Sequence, residues 1–177
     1  AYEISTRDWS SDVCSSDLRA ARAHYHRAMQ RWKPSVTVAA IVEHGGRYLL
    51  VEERTPEGLR LNNPAGHLDP GESLLQAVVR ETLEETARPF TPEALVGVYL
   101  GRRERPGEAD VTYLRFAFCG AAGEELAGRA YDAPIERTLW MSLDELRACP
   151  QRHRSPMLLQ GLADHAAGRR YPLALLH

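Results

Sequence analysis

The sequence predicts an α+β fold in which a mixed β-sheet is sandwiched between helices. Short apolar runs rich in β-branched residues are separated by glycine, proline and other turn residues, as strands are. Helical patterns lie between these runs without a strict strand–helix alternation, which favours the α+β class. Two capping boxes, Ser73 with Gln76 and Ser142 with Glu145, mark the starts of helices. A chain of 177 residues is long enough for one domain with a hydrophobic core.

Five segments are predicted to be strands because β-branched and aromatic residues cluster there: 36–42, 47–53, 94–101, 111–120 and 137–142. Gly45 and Gly46 lie between the first two segments, and this spacing predicts that they pair as a β-hairpin. The segment 61–72 contains two prolines, two glycines and two asparagines, so it is predicted to be a loop.

Three helices are predicted, at 73–86, 142–148 and 155–168. The two capping boxes start the first two helices, and Ser155 is predicted to be the N-cap of the third because Pro156 follows it. Pro89 should end the first helix, since the residue before a proline avoids the α conformation. Gly168 is expected to end the third helix.

The composition excludes several classes of protein. The net charge is −2, without the basic excess of proteins that grip a nucleic-acid backbone. No apolar run has the length of a membrane span, and no secretory signal pattern occurs. Cys14, Cys119 and Cys149 have no metal-ligand spacing, and so few cysteines indicate a reducing compartment. The sequence therefore predicts a cytoplasmic monomer or small homo-oligomer that acts on neither nucleic acid nor membrane.

Residues 1–28 are predicted to be a non-native or disordered extension, which leaves residues 29–177 as the domain. The opening stretch AYEISTRDWSSDVCSSDL has no hydrophobic periodicity. It back-translates into strings that resemble an adapter oligonucleotide of short-read sequencing, so we interpret residues 1–18 as a translated adapter. A serine-rich linker is the alternative. Met29 is then the expected native start, and the extension should pack against nothing.

The segment RETLEETAR, residues 80–88, carries three glutamates within five positions. Like charges one helical turn apart destabilise a helix by about 0.2–0.5 kcal/mol per pair. On a helical wheel Glu81, Glu84 and Glu85 lie along one flank of the apolar stripe, with Glu85 inside its core-facing half. A solvated charged face would lie opposite the stripe. The alternative is a salt-bridged surface in which Glu84 pairs with Arg80 and Arg88.

The wider segment GHLDPGESLLQAVVRETLEETAR resembles the Nudix family signature, G-x5-E-x7-R-E-U-x-E-E-x-G-U, where U is a bulky aliphatic. The six fixed positions that agree are Gly66, Glu72, Arg80, Glu81, Glu84 and Glu85. Thr82 and Arg88 replace aliphatic residues. Ala87 replaces the glycine that in the family gives the helix a left-handed end, which should cost about 1 kcal/mol unless Pro89 ends the helix differently. All three differences are scaffold positions.

Further segments resemble the NudJ-type branch of this family, over about residues 33–173: KPSVTVAAIV, NNPAGHLDPGE, TYLRFAF, RSPM and RRYPL. The resemblance implies a Nudix fold and hydrolysis of nucleoside tri- and diphosphates, and also of hydroxymethylpyrimidine diphosphate, with release of orthophosphate. One alternative is a housecleaning enzyme that acts on oxidised nucleotides or ADP-ribose. An inactive ligand-binding module is less favoured, because every acidic residue of the signature is present.

A bound cation would explain the crowded glutamates. Hard divalent cations neutralise phosphate oxygens and activate water, and Mg²⁺ prefers oxygen ligands. The resemblance implies Mg²⁺, or else Mn²⁺, with Glu84 and Glu85 as main ligands and the Gly66 carbonyl beside them. It implies that Glu81 is a further ligand or a base.

The remaining site residues have supporting roles in the predicted chemistry. The resemblance implies that Arg80 orients the catalytic carboxylates and that Glu72 ties the loop to the helix. His67 in that loop and Arg115 on a strand are candidate substrate-binding residues.

Two other charged groups are interpreted as structural. Glu52 and Glu53 are expected to be edge charges at the end of a strand, although a supporting role behind the catalytic groups is the alternative. Arg102, Arg103 and Arg105 are expected to belong to a solvated turn, although contact with phosphate is the alternative.

Overall fold

The computed structural model describes residues 32–104, 107 and 109–176. The chain divides after Lys33, and the following unit, Pro34–His177, carries all the elements below. The prediction for residues 1–28 lies outside the described residues. None of the helices in the described segments has the length and apolar character needed to cross a lipid bilayer.

Two four-stranded sheets form the β structure. The first has the order β5 (Ala65–His67), β1 (Ser35–Ile41), β7 (Val111–Ala122), β6 (Phe90–Arg103). β1 and β7 run parallel and the other pairs antiparallel, so this sheet is mixed. The second sheet is antiparallel and consists of β2 (Glu43–His44), β3 (Arg47–Thr55), β4 (Gly58–Asn62) and β8 (Ile135–Met141).

The helices are α1 (Leu74–Thr86), α2 (Leu143–Arg147) and α3 (Pro156–Ala166), with 3₁₀ turns at Pro150–Arg152 and Leu173–Leu175. Alternate residues of β1 serve two separate core clusters. Val38 packs in one cluster with Val78 of α1, whereas Ile41 packs in the other with Leu158 of α3. The α+β class, with a mixed sheet between helices, is confirmed.

Both predicted capping boxes are present. Ser73 Oγ accepts a hydrogen bond from Gln76 N at 3.2 Å, and Gln76 Oε1 accepts one from Ser73 N at 2.9 Å. Ser142 and Glu145 make the same pair of bonds. Ser155 is the N-cap of α3 as predicted, but its side chain makes no capping hydrogen bond.

The predicted hairpin between segments 36–42 and 47–53 is wrong. Gly45 and Gly46 do form a turn, with φ of 57° and 78°, but this turn joins β2 to β3. β1 pairs with β5 and β7 in the first sheet, so the chain changes sheets after Ile41. The predicted loop 61–72 likewise contains β5, a three-residue edge strand that is too short to show a propensity signal.

Ala87 ends α1 in the left-handed conformation, with φ 53° and ψ 23°, although it is fully buried. Its N–H donates to Leu83 O at 3.0 Å, and its carbonyl accepts from Leu126 N at 2.9 Å. The chain therefore takes the turn for which the family signature has a glycine.

We expect Ala87→Gly to be neutral or to stabilise the protein by up to about 1 kcal/mol. Relief of the left-handed strain, about 1–2 kcal/mol, offsets or exceeds the loss of one buried methyl group, about 0.8 kcal/mol, and the greater freedom of glycine in the unfolded chain, about 0.4–1 kcal/mol. Urea midpoints would measure the change. Ala87→Val should destabilise clearly, because β-branched residues disfavour this conformation. A destabilised Ala87→Gly variant would contradict the argument.

Candidate active site

The acidic flank of α1 lies against the edge strand β5. Ala65 N donates a hydrogen bond to Glu85 Oε2 at 2.8 Å. The Glu81 carboxylate occupies the space that a Cβ of residue 66 would fill, so Gly66 is the residue that lets it approach the backbone. The side chain of Glu81 is 14% exposed. These contacts bring two carboxylates and the β5 backbone together.

Burial perturbs the protonation of both carboxyl groups. It raises the pKa of Glu85 to about 8; the Ala65 N–H opposes this shift, while the charges of Glu81 and Glu53 add to it. Burial also raises the pKa of Glu81, although Arg80 opposes that shift. The protein alone therefore does not fully stabilise the negative charge of either carboxylate. A bound cation would stabilise both charges.

Arg80 fastens the loop before α1 to the helix. Its Nε and Nη2 donate to Glu72 Oε1 and Oε2 at 2.7 and 2.9 Å, a bidentate pair. Nη2 also donates to His67 O at 3.0 Å, and Glu72 Oε2 accepts from Asp69 N at 3.1 Å. These bonds raise the pKa of Arg80, Glu72 contributing most, and lower the pKa of Glu72.

The same guanidinium holds two carboxylates of α1. Arg80 Nη1 donates to Glu81 Oε1 at 2.8 Å and to Glu84 Oε2 at 2.9 Å. Glu84 lines a shallow groove on the outer side of α1, whereas Glu81 and Glu85 line a cavity on the inner side. The pairing of Glu84 with Arg80 is the one expected for a salt-bridged surface.

Within the described segments, no three His, Cys, Asp or Glu side chains converge as metal ligands. Arg80 holds Glu81 and Glu84, and the Ala65 amide holds Glu85. The donor chemistry nevertheless fits a hard divalent cation, because the carboxylate oxygens of Glu81 and Glu85 lie against the backbone of β5 and line the cavity. Glu84 would have to leave Arg80 to join such a site.

A cavity of about 690 Å³ opens beside Glu81 and Glu85, a volume typical of small-molecule sites. Thr37 of β1 pairs with His67 of β5 on one side and Arg115 of β7 on the other, so the three side chains share one face of the first sheet. All three line the cavity. The structure thus brings the candidate substrate-binding residues to the acidic flank of α1.

The edge-charge interpretation of Glu52 and Glu53 is wrong. Glu52 is 4% exposed and accepts hydrogen bonds from Arg137 Nε at 2.7 Å and Arg152 Nη2 at 2.6 Å. Glu53 lines the cavity, and Arg154 Nε lies 3.2 Å from its Oε1. Burial raises the pKa of Glu53. An alternation of polar and apolar residues could not reveal the burial of these glutamates, because both faces of β3 are covered.

The arginines expected in a turn extend the end of β6. Arg102 and Arg103 pair with β7 and line the exposed rim of the cavity. Arg102 bonds to Asp110, while the Arg103 guanidinium lies 5.8 Å from the centre of the Tyr113 ring. Arg105 lies outside the described residues.

The fold and this helix-borne acidic site together define a class of enzyme. Residues 31–160 match the NUDIX domain. The chain belongs to the Nudix family and is a hydrolase that acts on phosphoanhydride bonds.

Similar proteins agree with this assignment. The chain is 30% identical over 145 residues to the Phosphatase NudJ of Escherichia coli strain K12, which covers 82% of this chain and 92% of that protein. A solved NUDIX hydrolase from Nitrosomonas europaea is 48% identical with a TM-score of 0.76, over 82% of this chain and 97% of that one. The predicted Nudix fold and the resemblance to the NudJ-type branch are confirmed.

A more distant solved structure shares the fold. It is a bifunctional NMN adenylyltransferase/ADP ribose pyrophosphatase from Francisella tularensis, complexed with AMP and a Mn ion. The identity is 18% and the TM-score 0.57, over 88% of this chain and 48% of that one.

Proposed function

We propose that this hydrolase removes terminal phosphate groups from nucleoside tri- and diphosphates in a Mg²⁺-dependent reaction, with Mn²⁺ as a possible substitute. The observation that carries the proposal is the cavity in which Glu81 and Glu85 of the Nudix helix face the buried cation of Arg115. Such a site offers both a metal-binding edge and a phosphate-binding group. Similarity to a phosphatase supports terminal attack, and the family resemblance makes hydroxymethylpyrimidine diphosphate a further candidate substrate.

The cation would be held by Glu81, Glu85 and the Gly66 carbonyl, joined by Glu84 once that carboxylate leaves Arg80. When bound, it would neutralise phosphate oxygens and lower the pKa of a water molecule. Magnesium needs only one or two carboxylates per ion, so this set is sufficient.

The chain's own residues would orient the reactants. Arg80 keeps the α1 carboxylates in place and is itself held by Glu72. His67 and Arg115 would contact the phosphate chain. Glu81 is a candidate for the base that receives the proton of the attacking water. The water oxygen bonds to the terminal phosphorus while the anhydride P–O bond breaks. The electron pair of the broken bond stays on the oxygen of the departing nucleotide.

The enclosed polar end of the cavity favours a second candidate, a base-selective housecleaning pyrophosphatase. Thr37 Oγ1, Glu53 Oε1 and Arg115 Nε are buried atoms there that make no hydrogen bond within the described chain. Such atoms could read the edge of a nucleobase. A nucleoside bound in this way would expose an inner phosphate to attack and would give sharp base selectivity.

We expect GTP to yield orthophosphate and GDP, and GDP to yield orthophosphate and GMP, with weak preference among bases. Terminal attack places the last phosphoryl group beside the metal and leaves the base outside, with few contacts. Anion chromatography of products formed with Mg²⁺ measures this directly. Pyrophosphate as the main product, or strong selectivity for one base, would favour the second candidate. No hydrolysis of either nucleotide with Mg²⁺ or Mn²⁺ would favour a ligand-binding module.

The proposal extends to the setting of the protein. The substrate would be a small molecule, with no nucleic-acid or membrane partner, since the net charge is −2. We propose a cytoplasmic location, because few cysteines indicate a reducing compartment. We also propose that the protein is a monomer or small homo-oligomer.

A further inference from the structure

The buried end of the cavity contains a guanidinium that the protein leaves almost unpaired. Arg115 is 8% exposed, and it makes one hydrogen bond, from Nη1 to Asn62 Oδ1 at 3.3 Å. Among the described residues its Nε–H has no hydrogen-bond partner, and the carboxylates of Glu53 and Glu85 act on its charge without a hydrogen bond to it. Arg80, by contrast, makes five hydrogen bonds. A buried charge without a partner is costly, so a merely structural arginine would be paired.

Two hydroxyl groups at the same cavity also lack hydrogen-bond partners among the residues that the structure describes. Thr37, next to Arg115 in the sheet, is 4% exposed and its Oγ1 makes no hydrogen bond. Ser155 Oγ is buried and unpartnered as well, although Ser155 is the N-cap of α3. A buried polar group without a hydrogen bond destabilises the folded protein. Three such groups around one cavity indicate a ligand that completes them.

The chemistry of these groups favours an anion. Arg115 Nε–H and the hydroxyls of Thr37 and Ser155 are all hydrogen-bond donors. The carboxylate oxygen there without a hydrogen bond, Glu53 Oε1, already has the guanidinium of Arg154 at 3.2 Å. The first residues of the eleven-residue helix α3 also line the cavity, and a helix N-terminus favours negative charge.

We propose that Arg115, Thr37 and Ser155 form the subsite for the terminal phosphoryl group of the substrate, and hence for the orthophosphate product. This inference rests on the proposed function, and it specifies where in the cavity the terminal phosphoryl group binds. The cluster lies beside Glu85, whose charge acts on Arg115. The nucleoside then lies toward the exposed rim, where Leu100 is 70% exposed.

Calorimetric titration with inorganic phosphate, in the presence of Mg²⁺, tests the subsite without turnover. We expect Arg115→Met to weaken phosphate binding by at least about tenfold and Thr37→Val by about three- to tenfold, as for lost hydrogen bonds to a charged ligand. Thr37→Ser keeps the hydroxyl and should bind within about twofold of the wild type. The exposed residues Arg54 and Thr91 lie outside the cavity, so Arg54→Met and Thr91→Val are matched controls that should bind phosphate normally.

The urea midpoint of Thr37→Val supplies an independent check. This variant should unfold at the same or a higher urea concentration than the wild type, because it removes an unsatisfied buried hydroxyl. If it loses stability, the hydroxyl has a structural partner and the proposal fails. It also fails if phosphate binding is unchanged while preference among nucleobases shifts, since the donors then read the base.

The product assay distinguishes a failure of the proposed function from a failure of the proposed subsite. If the wild type releases pyrophosphate, the proposed function fails whatever phosphate binding shows. If it releases orthophosphate while Arg115→Met and Thr37→Val bind phosphate normally, the function stands and this subsite is overturned.

Discussion

Glu85→Gln is expected to lower turnover by two or more orders of magnitude while the protein still folds. The amide oxygen can still accept the hydrogen bond from Ala65 N, so the contact between α1 and β5 persists. The variant loses a negative charge at the cavity edge where the cation would bind, and neutral amides are poorer ligands for Mg²⁺ than carboxylates are.

The measurement is phosphate release from GDP across a Mg²⁺ titration. Glu93→Gln on the exposed part of β6 makes the same chemical change away from the cavity and should retain activity. Glu85 is not a main ligand if Glu85→Gln retains more than about a tenth of wild-type turnover at saturating Mg²⁺.

The pH dependence of the free energy of unfolding, measured without metal, is a second test of Glu85→Gln. The folded-state pKa of Glu85, about 8, lies above the ordinary glutamate value of 4.5. Its contribution to stability is therefore complete below about pH 4.5 and is lost as the pH rises through about 8. The metal-free wild type should lose stability over this window, and Glu85→Gln should lose less. If the wild type and Glu85→Gln lose equal stability over this pH window, the raised pKa of Glu85 is not the cause of the loss.

Glu84→Gln distinguishes two accounts of that residue. If Glu84 leaves Arg80 to join the metal, its loss should also reduce turnover by orders of magnitude. If it remains paired with Arg80, the change should reduce turnover only a few fold, since Arg80 keeps its hydrogen bonds to Glu72 and Glu81. The spacing of the glutamates could not decide this, because the direction of Glu84 depends on its contact with Arg80.

The parts of the molecule that the sequence predicted are those that local chemistry determines. α1 begins at a capping box and ends before Pro89, and both signals are contained within a few residues. The spacing of Glu81 and Glu85 predicted that they would share a flank of the helix, and both face the cavity. Strand pairing was predicted less well, because Gly45 and Gly46 specify a turn without specifying which strands it joins.

The buried end of the cavity was beyond sequence reasoning for a different physical reason. Thr37, Glu53 and Ser155 come from β1, β3 and the start of α3, and only the packing of these elements brings them together. A serine before Pro156 predicts an N-cap, and the position is correct. That its hydroxyl lacks a partner depends on distant residues, so no local pattern can show it.

Gly66→Ala is expected to reduce turnover about a hundredfold with little effect on folding. The backbone of Gly66 does not require glycine, since its φ is not positive. The new methyl group would overlap the Glu81 carboxylate, which must turn away from β5. Because that carboxylate is the end of a flexible side chain, the cost in stability should stay below about 2 kcal/mol. A displacement of about 1 Å in a catalytic group can cost about a hundredfold in rate.

The decisive measurement is a double-mutant cycle in turnover. Gly66→Ala should have a large effect in the wild type but less than about a threefold effect in Glu81→Ala, since the displaced carboxylate is then absent. Gly123→Ala is the matched control, because a Cβ there meets Pro89 at an ordinary 3.6 Å. Additive effects of Gly66→Ala and Glu81→Ala would mean that Gly66 acts on the reaction by another route, such as its own carbonyl at the metal.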